Sequence, residues 1–134
     1  MNVDISYGII SKLIKNNMVK DIPDMYELTV SDLAVVGNLG KKSASKLYNS
    51  IQQSRNQTFD RIIYGLGIPG QGIKNSKILA SKFNNIDQLR KASYSDLISI
   101  DGIGKENANN IIEFFKKEEN IELINRLKKI MKNI

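Results

Sequence analysis

The sequence predicts an all-α fold: four units, each of two helices joined by a tight hairpin, arranged as two paired modules with a closing C-terminal helix. Three observations carry this expectation. Apolar residues recur three and four apart along the 134-residue chain, and no stretch keeps the strict alternation of a half-buried strand. A short turn holding glycine recurs, each time with the same apolar stripe behind it. The stretch from Ser31 to Ile51 also reappears at Ser95 to Phe115 after a shift of 64 positions.

The stretch from Leu97 to Phe115 shows the unit most clearly. Leu97 and Ile100 fit a short helix, Asp101-Gly-Ile-Gly104 a hairpin, and Ala108, Ile111, Ile112 and Phe115 one face of a second helix. Gly102 and Gly104 are both free to adopt positive φ and to let another backbone come close. Ile103 between them can plug the hairpin into the core. The first amides of the following helix have no intrahelical partner and carry the positive end of its dipole, which makes that end an anion site.

Under the shift of 64, Thr29 falls on Ser93, Asp32 on Asp96, Leu39 on Ile103, Gly40 on Gly104, Lys41 on Lys105 and Ala44 on Ala108. Thr29 reads as a helix cap with Asp32 as a variant capping box. Asn38 takes the first glycine's place, and asparagine is among the few residues that tolerate positive φ. A third copy follows a capped helix at Thr58 and centres on Gly70-Gln-Gly72. Counted from the second glycine, positions plus four, seven and eleven form the stripe: Ala44, Leu47, Ile51; Ser76, Leu79, Phe83; Ala108, Ile111, Phe115. The small residue at plus four lets the two helices of a unit cross closely. A degenerate first copy is placed on Asp4-Ile-Ser6, with Ile10 and Leu13 behind it. Pro23 opens a short helix through Met25, Tyr26 and Leu28. The tail from Glu118 to Ile134 is an amphipathic closing helix. The expectation is therefore ten to twelve mostly short helices, with residues 1–56 forming the first pair of helix–hairpin–helix units and residues 57–134 the second pair plus the closing helix.

Composition bounds the function. The net charge is +6 and the pI near 9.5, which favours a polyanionic partner. With no cysteine and no histidine, disulfides, thiolate nucleophiles, zinc–cysteine sites and the usual general base are excluded. No apolar run has the length of a membrane span and no signal-peptide pattern is present, so a cytoplasmic protein is expected. Lys41, Lys42, Lys74 and Lys105 stand in the first turns after the hairpins, where a cation opposes the helix dipole and a sequence chosen for stability alone would carry an acid. These lysines, with Asn38, Gly40, Gly70, Gly72, Gly102 and Gly104, are the candidate phosphate-binding residues. Aromatic residues are not interleaved with the hairpins, which argues against base stacking on single strands.

The order of units and their linkers resembles the helix–hairpin–helix region of a bacterial-type NAD-dependent DNA ligase. The resemblance rests on Met18-Val-Lys-Asp-Ile-Pro-Asp-Met-Tyr-Glu-Leu-Thr29, Gly40-Lys-Lys-Ser-Ala44, Gly65-Leu-Gly-Ile68 and Leu97-Ile-Ser-Ile-Asp-Gly-Ile-Gly104, and extends through Glu113-Phe-Phe, Asn120 and Leu123-Ile-Asn-Arg-Leu127. Asp4 and Ser6 stand where the family has glycines, and Pro69-Gly70 where it has basic and polar residues. The resemblance implies a region that clamps nicked double-stranded DNA during replication and repair while other domains of the ligase perform the chemistry. The family's adenylated lysine lies in a Lys-x-Asp-Gly motif. Here the sole Asp-Gly is Asp101-Gly102, with Ser99 two residues before Asp101, so no catalytic, cofactor-binding or metal residue is expected in this chain. NAD and a divalent metal are expected in the parent enzyme's other domains, and the chain reads as a segment of such an enzyme. The alternative is a standalone helix–hairpin–helix adaptor of a recombination or excision-repair complex. A glycosylase of this class needs an aspartate shortly after its hairpin, and none follows Asp101.

Overall fold

The computed structural model describes residues 22–36 and 39–134. The expected first unit, with its Asp4-Ile-Ser6 hairpin, and residue Asn38 lie outside the described residues. Among those described, all regular structure is helical. A 3₁₀ segment, Ile22–Glu27, precedes α1 (Val30–Val36) and α2 (Lys41–Gln53), and a second, Ser54–Asn56, follows α2. Then come α3 (Phe59–Gly65), α4 (Ile73–Lys82), α5 (Ile86–Lys91), α6 (Tyr94–Ile98), α7 (Lys105–Lys116) and α8 (Glu118–Lys128). The chain divides between Asn56 and Gln57 into two compact units.

In the N-terminal unit α1 packs on α2. Thr29 and Asp32 cap α1 reciprocally: the Asp32 N–H donates to Thr29 Oγ1 at 3.1 Å, and the Thr29 N–H to Asp32 Oδ2 at 2.9 Å. Leu33, Ala44, Leu47 and Ile51 are buried, so the stripe expected on α2 is the stripe that packs. The 3₁₀ segment at Pro23 is tied to the end of α2 by Tyr26. Ser54 spends its one hydroxyl hydrogen on the Ile51 carbonyl, at 2.6 Å, so the Tyr26 hydroxyl is the donor in the bond between Tyr26 and Ser54. The Arg55 guanidinium lies 5.1 Å from the centroid of the Tyr26 ring.

In the C-terminal unit α3 packs on α4, and α7 packs on both α6 and α8. Leu79, Ile111 and Ile124 are at most 1% exposed, each contributing on the order of 1.5–3 kcal/mol of burial. Ser93 and Asp96 repeat the capping box of α1, with bonds of 3.1 and 3.0 Å. Gly67, at φ +70°, ends α3 in the left-handed conformation common just past a helix C-terminus. Thr58 stands at the N-cap of α3, but its hydroxyl makes no capping bond.

Two helices end earlier than expected. Helix α4 ends at Lys82, and Phe83 is its extended, half-buried cap rather than part of the stripe. The reason is the next helix, α5, which begins immediately. Its Asn85 side chain accepts from the Gln88 N–H at 2.9 Å, while Gln88 Oε1 accepts from the Asn84 N–H at 2.9 Å. The Asn-x-x-Gln spacing was a readable N-terminal signal for this helix. The closing helix also stops early, at Lys128. The last residues turn back: Met131 is buried under Gln57, whose amide donates to its sulfur at 3.6 Å, and the Ile86 N–H donates to the Ile134 carbonyl at 2.7 Å.

The plus-four positions Ala44, Ser76 and Ala108 are 0%, 1% and 0% exposed, so the small residues expected there are fully enclosed. Ser76 Oγ has no hydrogen-bond partner. Replacing Ser76 by alanine removes a buried unsatisfied hydroxyl and improves helix propensity. Ser76→Ala is therefore expected to stabilise the chain by roughly 1 kcal/mol, read as a higher midpoint in thermal or urea unfolding.

Asp87 links α5 to α8 through a 2.7 Å bond from Lys128 Nζ. That bond, helped by the positive charges of Lys128, Arg90 and Lys91, holds the Asp87 carboxyl below its ordinary range. A carboxyl lowered in the folded state contributes stability above its unfolded pKa and loses it as the pH falls through the folded value. The pair is solvent-exposed, so Asp87→Asn should cost about 0.2–1 kcal/mol at pH 7. The gap to the parent should close as the pH falls below about 4, measured by urea unfolding at several pH values.

Candidate nucleic-acid interface

The three hairpin-following helices α2, α4 and α7 begin at Gly40, Gly72 and Gly104, and none of these N-termini has a side-chain cap. Helices α1, α5 and α6 are capped by Thr29, Asn85 and Ser93 and carry Asp32, Asp87 and Asp96 in their first turns. The first turns of α2 and α4 hold no acidic residue; that of α7 holds Glu106. Lys41, Lys42, Lys74 and Lys105 are all exposed on the first two residues of these helices. Amides, dipole and amines thus converge at each of these three helix ends.

The two glycines of a hairpin do different work. In the fourth unit the Ile103 N–H donates to the Ile100 carbonyl at 3.1 Å, across a turn whose third residue, Gly102, has φ +95°. In the third unit the Gln71 N–H donates to the Ile68 carbonyl at 3.1 Å, with Pro69 second and Gly70 third at φ +78°. Proline then positive-φ glycine is the residue pattern of a type II turn. The second glycines differ from the expectation of positive φ. Gly72 and Gly104 have φ −82° and −86°. They are N-cap residues, and an N-cap takes extended backbone.

Their missing Cβ atoms also face different neighbours. A Cβ on Gly102 would lie 2.8 Å from Ile78 Cδ1 of α4, and one on Gly70 would lie 3.1 Å from both Asn107 Oδ1 and Asn110 Nδ2 of α7. Ile78 stands six residues after Gly72 and Asn110 six after Gly104, so the third and fourth units seat their hairpins on each other reciprocally. A Cβ on Gly40, Gly72 or Gly104 would meet nothing within 4 Å. The first glycine serves the turn and the close approach; the second keeps the helix end open.

The hairpin plugs are unequal. Ile103 is buried and Leu39 half-buried, whereas the third plug is Gln71, only 6% exposed. Its amide nitrogen lies 3.3 Å from the Pro69 carbonyl and 3.4 Å from Asn107 Oδ1, and its Oε1 accepts no hydrogen bond. Sequence reading also passed over Ile73, which is 59% exposed at the position where the other hairpins carry Lys41 and Lys105. The register of the repeat held that signal.

Residues 61–124 match the family model of the helix–hairpin–helix motif. Over 119 residues the chain is 44% identical to a DNA ligase of Thermosipho africanus, covering 89% of this chain and 18% of the ligase. It is 40% identical over 129 residues to the DNA ligase of Coprothermobacter proteolyticus, covering 96% of this chain and 19% of the ligase. The DNA ligase of Bacillus subtilis is 37% identical over 131 residues, 97% of this chain and 20% of the ligase. The chain is thus similar to one segment of these DNA ligases. It spans about a fifth of the length of the ligases it matches. The helix–hairpin–helix match covers both hairpins of the C-terminal unit, Ile68–Gly72 and Ile100–Gly104, where the two kinds of glycine are resolved. Among the described residues no group of three or more acidic side chains is placed to hold a metal ion, and no helix is long and apolar enough to cross a membrane.

The two glycine roles separate in stability measurements. Gly102→Ala forces an L residue to positive φ against Ile78 and is expected to cost on the order of 1–3 kcal/mol. Gly104→Ser places a favoured N-cap in open space and should leave the unfolding midpoint unchanged or slightly raised. Parallel thermal melts check both.

Proposed function

We propose that the chain is the sequence-independent duplex-binding region of an NAD-dependent DNA ligase, clamping the sugar–phosphate backbone around a nick during replication and repair. The observation that carries this reading is the shared construction of the ends of α2, α4 and α7: an exposed glycine N-cap without a side-chain cap, followed by lysine within two residues. Backbone amides and amines recognise phosphate oxygens and carry no base information. Asn38, Gly40, Lys41, Lys42, Gly70, Gly72, Lys74, Gly102, Gly104 and Lys105 form the contact set in this reading. Residues 1–56 and 57–134 each supply one pair of hairpins. Other domains of the parent enzyme, in the cytoplasm, bind NAD and a divalent metal and form the phosphodiester bond.

If about four to six phosphates are neutralised, the slope of log affinity against log salt should be roughly −4 to −5. Affinity for nicked duplex should then fall on the order of a hundred- to a thousandfold between about 50 and 200 mM salt. Lys41 and Lys105 changed together to glutamate should melt at or slightly above the parent temperature, because each glutamate complements a helix dipole by roughly 0.3–1 kcal/mol. The same protein should bind duplex more than tenfold more weakly, and Gly104→Ser should also bind more weakly while remaining folded. Fluorescence-anisotropy titrations test this, and parent-like binding by the double glutamate variant would refute it.

A further inference from the structure

Among the described residues the exposed large apolar side chains are Val35, Tyr64, Ile73 and Ile98, at 80%, 46%, 59% and 39% exposure. Their placement is not scattered. Val35 and Tyr64 are the penultimate residues of α1 and α3, Ile98 is the last of α6, and Ile73 is the first of α4. Each therefore sits at the hairpin end of its helix. The opposite helix ends and the outer faces of α5 and α8 carry no such residue. Scattered surface apolar groups need no explanation, but a set confined to one kind of site does.

Ile73 is the sharpest case. It lies between Gly72 and Lys74 and occupies the position that carries Lys41 and Lys105 in the other hairpins. At 59% exposure it contributes little to the core, so fold stability does not account for an isoleucine there. A nucleic-acid backbone alternates two surfaces, charged phosphate oxygens and the C–H faces of the sugars. A side chain that replaces an amine in the same register meets the same strand with the other chemistry.

We infer that the exposed apolar residues flanking the hairpins, Ile73 and Val35 foremost, pack on deoxyribose faces adjacent to the phosphates held by the glycine amides and lysines. This deepens the duplex-binding reading and rests on it. The hairpins then hold the backbone by a salt-sensitive and a salt-insensitive contact together, and the third hairpin, with Ile73 and Pro69, leans furthest toward the second kind.

The test uses the full chain and nicked duplex DNA, titrated at several salt concentrations. Ile73→Ser with Val35→Ser should weaken binding about five- to tenfold at every salt concentration, leaving the log–log slope unchanged, because no ion pair is removed. Ile73→Lys should steepen the slope by about 0.9 and strengthen binding at low salt. Thermal melts of all variants should match the parent, as expected of exposed positions. Parent-like affinity of the double serine variant overturns the inference, as does a loss of affinity accompanied by a shallower slope. Either result leaves the duplex-binding reading standing if the double glutamate variant still loses affinity. A parent chain that does not bind duplex removes both.

Discussion

The C-terminal unit depends on close approach between a hairpin and the helix of the neighbouring repeat. Gly102 rests against Ile78 and Gly70 against Asn107 and Asn110, at distances where a Cβ would crowd those side chains. The contact is reciprocal, so each hairpin is seated by the other's second helix. Because the contacts fall in the first two turns of α4 and α7, the N-termini of those helices are neighbours. The placement of two uncapped helix ends side by side thus follows from packing.

The small residues at plus four play the complementary part within each repeat. Ala44, Ser76 and Ala108 are fully buried where the two helices of a unit cross, and the apolar residues at plus seven close the core behind them. Interiors are close-packed, so a residue one size larger would have to push the helices apart and with them the turn between. Ser76 keeps a hydroxyl without a partner in this position, a local cost that Ala44 and Ala108 avoid.

Stability and binding pull the helix ends in opposite directions. Three helices that do not follow hairpins, α1, α5 and α6, are capped by side chains: Thr29 with Asp32, Asn85 with Gln88, Ser93 with Asp96. The three helices that follow hairpins begin instead at bare glycine, and lysines stand where the dipole favours acids. Each departure forgoes a fraction of a kcal/mol to about 1 kcal/mol of folding stability. The buried amide of Gln71, with one oxygen unsatisfied, adds another local cost beside the third hairpin. Bare glycine caps followed by lysine recur at these three helix ends, in keeping with the binding role proposed for them.

The sequence by itself determined the helical class, the repeat, the plus-four and plus-seven core positions, and the capping boxes at Thr29 and Ser93. These are legible because they depend on periodicity and on bonds between residues three apart, which local order alone dictates. It also marked Gly40, Gly72, Gly104 and the lysines behind them as the open helix ends. Only the tertiary structure decided which glycine of each pair needs positive φ, since that depends on whether the residue closes a turn or caps a helix. The ends of α4 and α8 were likewise beyond local reading: Phe83 yields to the capped start of α5, and the last residues fold back to bury Met131 and to pair Ile134 with Ile86. The reciprocal seating of Gly70 and Gly102 joins residues whose proximity no spacing rule contains. Periodicity tells which side of a helix is apolar, while its neighbours in space decide what that side meets.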